Sequence, residues 1–369
     1  MNRTGSYCIV LAVALGGIRL LAITADAQRG SEFFRTQNCV TCHAVGGQGG
    51  SNKAPDLGRR YDRNYSPAGI AARMWDHAPV MWQTMSREKI SLPTISTEQA
   101  ADLFAFFYSV RYFEKPAEAE RGKRAFHTKH CAECHSVGGS GGGPGTPVER
   151  WESLTDPVMF VERMWNHSDL MKGEMAARHI EWPQLTGQEL DDMLVYLQNL
   201  PQTRGAKLTF KLPSGEGGEA LFKEKGCADC HKGDMALEYR LGDGTLTDVA
   251  AAMWNHNPQM QKPHPQLSLD EMRQILGYVW AKQFFYTKGN AARGQKTFES
   301  KKCATCHNNE SSGAPKLGKP ADSYSAISMV TALWKHGPTM LEKMQEKHIA
   351  WPQLNQTEMA NLIAYLNSR

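Results

Sequence analysis

The sequence predicts an all-α protein built from four small domains in tandem, and three repeated features support this prediction. Each repeat opens with a Gly followed four residues later by a Phe, a spacing that places both on one face of a short helix. Each repeat then contains the pentapeptide Cys-x-x-Cys-His and ends in a stretch whose apolar residues follow helical spacing. The Gly and Phe pairs are Gly30 and Phe34, Gly122 and Phe126, Gly218 and Phe222, and Gly294 and Phe298, and the final stretches are 101–110, 191–200, 270–280 and 358–366.

The pentapeptide indicates the chemistry of the repeats, because it is the attachment signature for c-type haem. Two thiols one helical turn apart add to the haem vinyl groups, and the adjacent His then ligates the iron. Four copies, each about 76 to 96 residues from the next, are not a coincidence of composition. We therefore predict four covalently bound haems c. The predicted attachment residues are Cys39, Cys42, Cys131, Cys134, Cys227, Cys230, Cys303 and Cys306, and the predicted proximal iron ligands are His43, His135, His231 and His307.

Other uses of paired cysteines explain the pentapeptide less well. Exported proteins form disulfides, Cys-x-x-Cys is also a thioredoxin-like redox motif, and zinc ribbons pair two such knuckles. None of these three sites requires a His directly after the second Cys in every copy.

The first 27 residues resemble a secretory signal. Arg3 precedes an apolar run over 8–23, and Ala25-Asp26-Ala27 is a small-x-small cleavage site. We predict cleavage after Ala27 and a periplasmic or otherwise exported protein, with an uncleaved anchor as the alternative. The ninth cysteine, Cys8, lies in this segment, and the mature chain has no other apolar run long enough to span a membrane.

The charge of the chain gives no indication of nucleic-acid binding. There are 42 basic and 38 acidic residues, a formal net charge of +4, and no basic run. Haem propionates would bring the holoprotein close to neutral. The expected partners are therefore redox proteins, with a membrane-bound oxidoreductase as one candidate, and not nucleic acids.

The order of features in each repeat resembles the class I cytochrome c domain, the family of small mitochondrial and photosynthetic cytochromes. This resemblance implies that the first helix of each domain crosses the last through a Gly and aromatic contact. It pairs Phe34 with Phe106, Phe126 with Tyr196, Phe222 with Tyr278, and Phe298 with Tyr365. The predicted organisation is a signal peptide at 1–27 and cytochrome c domains at 28–114, 115–204, 205–287 (shortened) and 288–369.

The joins between repeats predict how the domains group. The joins between repeats 1 and 2 and between repeats 3 and 4 match in length, carry aromatics at the same two positions and end in Arg-Gly. The join between repeats 2 and 3 contains several Pro and Gly residues and a β-like segment at 207–212. We therefore predict two di-haem modules, 1 with 2 and 3 with 4, with a looser joint between them.

The sixth iron ligand has more than one candidate, because each repeat contains the string Trp-x-His-x-x-x-Met. A Pro follows the His by two residues in three repeats, which predicts that the helix ends there and that the Met lies in the next loop. The resemblance places a distal Met in such a loop, so Met81, Met171, Met260 and Met340 are the predicted distal ligands. Two alternatives stay open: that these Met are flexible core filler, and that the ligands are His77, His167, His256 and His336. The Trp of each string is predicted to pack at the haem edge; these are Trp75, Trp165, Trp254 and Trp334.

The third repeat departs from the others. The family supports its proximal His through a Pro carbonyl, for which Pro55, Pro147 and Pro315 are candidates, but repeat 3 has no matching Pro. It also has His264 where repeats 2 and 4 have Trp182 and Trp351 and repeat 1 has Leu92. We expect haem 3 to be the most exposed and to differ in potential.

An electron carrier is the predicted function, since the sequence shows neither a Ser-His-Asp pattern nor paired catalytic carboxylates. The protein would supply axial ligands, burial and spacing, while the haems supply the redox chemistry. Two alternatives remain: a haem enzyme with an open distal site in repeat 3 beside His264, and a haem subunit of a larger oxidoreductase.

Overall fold

The computed structural model describes residues 25–45, 47–51, 54–58, 66–109, 117–204, 211, 214–241, 244–260, 264–318 and 323–369. These residues are mostly helical, with one short hairpin of β1 (Ala44–Val45) and β2 (Gln48–Gly49). Across them no helix is long and apolar enough to cross a bilayer. Cys8, the apolar run of the predicted signal, the aromatic part of the first join and nearly all of the β-like segment lie outside the described residues.

Each of the four repeats has a first, a middle and a last helix, numbered here along the chain, and repeats 2 and 4 have an additional short α-helix at the motif. Repeat 1 contains α1 (Ala27–Thr36), α2 (Pro67–Arg87) and α3 (Thr97–Ser109). Repeat 2 contains α4 (Ala119–Thr128), α5 (Cys131–Cys134), α6 (Pro157–Ala177) and α7 (Gly187–Gln198). Repeat 3 contains α8 (Gly218–Glu224), α9 (Leu246–His256) and α10 (Leu269–Phe285). Repeat 4 contains α11 (Ala291–Ser300), α12 (Ala304–His307), α13 (Ala326–Glu346) and α14 (Gln356–Asn367). The predicted all-α character and the four predicted terminal helices are confirmed.

The first and last helices of each repeat cross at the predicted Gly. A Cβ at Gly122 would overlap the carbonyl oxygen of Asp192 and lie 2.8 Å from the backbone nitrogen of Met193. Only Gly permits this approach of two backbones. The predicted aromatic contacts are confirmed in every repeat, with ring centroids 5.6 Å apart for Phe34 and Phe106, 6.1 Å for Phe126 and Tyr196, 5.6 Å for Phe222 and Tyr278, and 5.5 Å for Phe298 and Tyr365.

A buried carboxylate holds the same crossing in repeats 1 and 2. Asp192 accepts a hydrogen bond from the backbone nitrogen of Glu118 at 2.7 Å and pairs with Arg121 at 2.7 Å. In repeat 1, Asp102 accepts a hydrogen bond from the backbone nitrogen of Asp26 and pairs with Arg29. Sequence analysis missed this contact, in which an Arg directly precedes the Gly in both repeats. Asp26 also caps α1, so the predicted cleavage after Ala27 would separate this cap from its helix.

The prediction that a Pro two residues after the His ends the middle helix is wrong in repeats 1 and 4 and confirmed in repeat 3. Helices α2 and α13 continue through Pro79 and Pro338, and α6 continues past His167. A Pro removes one backbone hydrogen bond at a cost of about 3 kcal/mol, and α2 and α13 offset that cost by packing against each other. Only α9 ends at its His, His256, before a 3₁₀ turn over Asn257–Gln259.

The predicted grouping of neighbouring repeats is also wrong. Repeat 1 packs against repeat 4 through α2, α3, α13 and α14, and repeat 2 packs against repeat 3 through α6, α7, α9 and α10. Repeats 1 and 3 meet through α3 and α10. The ring centroids of Phe104 and Phe284 are 6.1 Å apart there, and those of Tyr108 and Trp280 are 5.4 Å apart. The joins constrain only the ends of each repeat, whereas the faces that bury apolar side chains decide the pairing.

Repeats 2 and 3 exchange equivalent hydrogen bonds across their interface. The indole of Trp165 donates to the Pro265 carbonyl at 2.9 Å, and the indole of Trp254 donates to the Pro183 carbonyl at 2.7 Å. The Asn directly after each Trp also bonds across the interface. The Asn166 side chain forms hydrogen bonds with the backbone of Leu267, and the Asn255 side chain forms them with the backbone of Leu185. The interface is therefore close to two-fold symmetric.

The interface of repeats 1 and 4 is less symmetric. Trp75 donates to the Pro352 carbonyl at 2.9 Å and stacks on Trp351, whereas its counterpart Trp334 donates to the sulfur of Met74 at 3.2 Å. Trp82 of α2 inserts between Trp334 and Trp351, with ring centroids 6.4 and 5.7 Å away. The large indole of Trp82 thus fills this side of the interface.

A buried carboxyl at the interface of repeats 2 and 3 makes stability depend on pH. Burial, together with the nearby Asp248 and Asp192, raises the pKa of Asp191 from 3.8 to about 8. Between these values the folded protein holds a proton that the unfolded chain has released, so stability falls as pH rises, by at most about 1.4 kcal/mol per pH unit. Above the folded pKa the carboxyl is ionised in both states and this dependence ends.

We expect urea unfolding between pH 5 and 9 to show this slope in the native chain and to lack its contribution in Asp191→Asn. The amide keeps an acceptor for the hydroxyl of Thr247, which bonds Asp191 at 3.2 Å. Equal slopes for the two proteins would contradict the prediction.

Candidate functional site

Each pentapeptide begins after a residue in the left-handed backbone region. These residues are Asn38, His130, Gly226 and Lys302, with φ of 62°, 65°, 76° and 63°. The left-handed residue ends the first helix and turns the chain into the single helical turn that carries the two Cys. Sequence analysis missed this feature, although Asn and Gly, which tolerate that conformation, precede two of the motifs.

The first thiol of each motif is partly buried and protonated. Burial raises the pKa of Cys39 and Cys303 to about 11 and that of Cys131 to about 12, and it also raises the pKa of Cys227. A redox-active Cys-x-x-Cys pair instead has a lowered thiol pKa. None of the eight motif cysteines is paired in a disulfide within the described residues.

The motif His of each repeat is oriented by a backbone carbonyl. His43 donates its Nδ1–H to the carbonyl of Pro55 at 3.3 Å, and His135 donates to that of Thr146 at 2.9 Å. In the other two repeats, His231 donates to the carbonyl of Met235 at 3.4 Å and His307 to that of Pro315 at 2.8 Å. Such a bond fixes the tautomer and leaves Nε2 free to bind a metal ion.

The carbonyl partners confirm the prediction for Pro55 and Pro315, and repeat 3 uses Met235 in the absence of a matching Pro. The prediction that the Pro147 carbonyl supports His135 in repeat 2 is wrong, because the carbonyl of the preceding residue, Thr146, does so. The Pro147 carbonyl instead accepts from the backbone nitrogen of Arg150 at 3.0 Å, closing a 3₁₀ turn.

A cavity of about 280 Å³ lies beside the motif of repeat 2. Its walls combine the two motif thiols, the oriented imidazole and mainly apolar side chains, a set that suits a large flat apolar group with a central metal ion. The walls include Cys131, Cys134, His135, His167, Met171 and Trp254. These residues fit haem c in both attachment and ligation.

A second His faces the motif His in three repeats. The ring centroids are 6.1 Å apart for His43 and His77, 6.4 Å for His135 and His167, and 5.8 Å for His231 and His256. Burial lowers the pKa of His43, His77, His135 and His231. These four imidazoles are therefore favoured in the neutral form that binds metals.

The predicted distal Met residues occupy different surroundings. Met171 lines the cavity of repeat 2, Met81 packs beside the Trp82 cluster at the interface of repeats 1 and 4, and Met260 follows the 3₁₀ turn of repeat 3 and packs on the main core. Met340 lies within α13. Their assignment as ligands stays a prediction.

The string tryptophans are primarily interface residues. Trp75, Trp165 and Trp254 donate their indole N–H groups to another repeat, and Trp254 also lines the cavity of repeat 2. His264, which the sequence suggested as a catalytic neighbour of haem 3, lies buried in the interface. It packs on Trp165 with ring centroids 4.7 Å apart and bonds the Ser168 hydroxyl at 3.1 Å.

Comparison with known proteins identifies three of the four repeats. The family model for cytochrome c matches residues 27–111, 119–201 and 291–369, which are repeats 1, 2 and 4. No curated protein and no solved structure matches the chain. Within the described part of the chain, no three His, Cys, Asp or Glu side chains cluster as a metal site of the zinc-knuckle kind would require.

Proposed function

Because this chain belongs to the cytochrome c family, we propose that it carries four covalent haems c and relays electrons between redox partners. The family match makes it a multi-domain c-type cytochrome, and such domains typically carry electrons. The observation that carries the proposal is the repeated unit of two motif thiols beside a His whose Nδ1 is bonded to a carbonyl. That unit supplies covalent attachment and one axial ligand per haem.

Repeat 3 is proposed as the fourth haem domain, although the family model does not match it. Its Gly218 crosses α10 at Gln274, and its Phe222 contacts Tyr278, as in the matched repeats. His231 is supported by a carbonyl, as its counterparts are. Cys230 is the exposed motif cysteine, which supports the prediction that haem 3 is the most exposed.

The pairing of repeats supports electron transfer within pairs. Trp254 lines the cavity of repeat 2, and two residues later along α9 His256 faces His231 of repeat 3. One short helical segment thus connects two haem sites. In the other pair, Trp75, Trp82, Trp334 and Trp351 lie between repeats 1 and 4.

We further propose that the protein is exported, is an electron carrier and not an enzyme, and exchanges electrons with redox proteins that include a membrane-bound oxidoreductase. The secretory-like segment and the usual export of c-type cytochromes support the location. Exposed Val80 and Leu170, each directly before a predicted distal Met, offer apolar contact near the haem sites.

The number of haems tests the proposal. The full chain, expressed with export and haem-attachment machinery, should carry four haems, counted by the pyridine haemochrome assay and by intact mass. Replacing Cys227 and Cys230 together by Ser should remove one haem of the four. All bound haems should be reduced by dithionite and reoxidised by a soluble electron acceptor.

Ala228→Ser is the control variant, because Ala228 lies between the two motif cysteines of repeat 3 without being an attachment residue, and it should leave the haem count at four. Three haems in the native chain, unchanged by the double substitution in repeat 3, would contradict the assignment of that repeat.

A further inference from the structure

We propose that His77, His167 and His256 are the distal iron ligands of repeats 1, 2 and 3. This inference rests on the proposed function, because it assigns the sixth ligand of haems which that function supplies. It separates two alternatives that the sequence left open, the Met and the His of the same string.

The opposing imidazole rings in these three repeats are separated as two ligands of one metal ion would be. Two metal–nitrogen bonds of about 2 Å each, with about 1.1 Å from each nitrogen to its ring centre, put two imidazoles on one metal ion about 6 Å apart. The ring centroids are 6.1 Å apart for His43 and His77, 6.4 Å for His135 and His167, and 5.8 Å for His231 and His256. Each pair therefore has the spacing of two ligands on opposite sides of one iron.

Repeat 3 supplies an independent comparison. Its middle helix ends at His256, and Met260 follows a 3₁₀ turn, whereas Met81 and Met171 lie inside continuous helices. The backbone that carries the Met thus differs between repeats. The distance between the two imidazoles nevertheless stays nearly the same, which is expected if the His is the group that must face the iron.

The Met residues have another use in these sites. Met81 packs with Trp82 in the interface of repeats 1 and 4, and Met260 packs on the main core. Met171 lines the cavity of repeat 2 together with Leu170 and Met175, one helical turn beyond His167. A flexible thioether suits such a wall without ligating the metal.

A difference between repeats follows from this assignment. Ligation by two His gives a lower haem potential than ligation by His and Met. Repeat 4 is outside the proposal, and Met340 stays its predicted ligand. The chain would then combine three low-potential haems with one of higher potential.

Spectroscopy of the intact ferric holoprotein tests the assignment without any substitution. Near-infrared magnetic circular dichroism separates bis-imidazole from imidazole–thioether ligation. We expect three bis-imidazole haems and one imidazole–thioether haem. Imidazole–thioether signals from two or more haems would overturn the proposal.

Paired substitutions in repeat 2 locate the ligand. Reduced His167→Ala should bind one more equivalent of carbon monoxide than the native protein, whereas reduced Met171→Leu should bind no more than the native protein. The opposite result would overturn the assignment. His179→Ala, which replaces an exposed His of the same repeat, controls for the loss of an imidazole.

Haem content, measured on the same samples, separates failure of the proposed function from failure of the ligand assignment. A native protein with no covalent haem would contradict the proposed function itself. Four haems whose carbon monoxide binding depends on Met171 would contradict only the ligand assignment.

Discussion

Replacing Gly122 by Val is expected to unfold repeat 2. The new Cβ would overlap the backbone carbonyl of Asp192 and lie 2.8 Å from the backbone nitrogen of Met193. Neither atom belongs to a side chain that can rotate away, so α4 and α7 would have to separate. Their separation would break the contact of Phe126 with Tyr196 and the ion pair of Arg121 with Asp192.

Overpacking costs about 1–3 kcal/mol, and occasionally more when backbone must move. We expect the urea midpoint to fall, while the unchanged Cys131 and Cys134 keep the haem of repeat 2 covalently attached. The measurement is urea unfolding followed by tyrosine and tryptophan fluorescence, with haem content determined on the same preparation. A midpoint equal to that of the native chain would show that the crossing tolerates a side chain.

Gly173→Ala is the matched control in the same repeat. Gly173 also lies in a helix, α6, but no neighbouring atom stands within 4 Å of the place that a Cβ would take there. Here Ala should stabilise the helix by about 0.5–1 kcal/mol, because Gly is the poorer helix former. The two substitutions should therefore move stability in opposite directions.

Replacing Arg273 by Met is expected to weaken the packing of repeat 2 against repeat 3. Arg273 of α10 pairs with Asp156, the N-cap residue of α6, at 2.5 Å. The Asp156 side chain is fully buried and that of Arg273 is 12% exposed. Removing one partner of a buried pair costs about 3–5 kcal/mol, because the remaining charge has lost its counterion.

A second substitution should recover much of that loss. Asp156→Ser in the Arg273→Met background removes the stranded charge and keeps a hydroxyl that caps α6 by bonding the Val158 nitrogen, as Asp156 does at 2.8 Å. We would measure the unfolding free energies of both single variants, the double variant and the native chain.

Asp270→Asn controls for the general effect of removing a charge. Asp270 also pairs with Arg273, at 3.0 Å, but its side chain is 81% exposed. Exposed pairs contribute about 0–1 kcal/mol, so this variant should stay close to the native stability. A loss from Asp270→Asn as large as that from Arg273→Met would contradict the role assigned to the buried pair.

The sequence alone determined the features that depend on short spacings. The pentapeptides predict covalent haem attachment. The spacing of Gly30 and Phe34, with its three counterparts, placed each pair on one helix face, and the resemblance to the class I cytochrome c domain implied the helix crossings and aromatic partners that the structure confirms. Each of these predictions concerns residues whose relative positions follow from one helix or from one recurrent domain order. The Pro carbonyls behind His43 and His307 were predicted for the same reason.

The tertiary structure decided how the repeats pair and what the string residues contact. The bond from Trp165 to Pro265 spans 100 residues, and that from Trp75 to Pro352 spans 277. No local pattern encodes such partners, because they depend on which apolar faces bury each other. The continuation of α2 through Pro79 follows from the same packing, which outweighs a local preference to end the helix. Whether His77 or Met81 faces the iron likewise depends on the position of a helix relative to a distant motif, which only the folded chain sets.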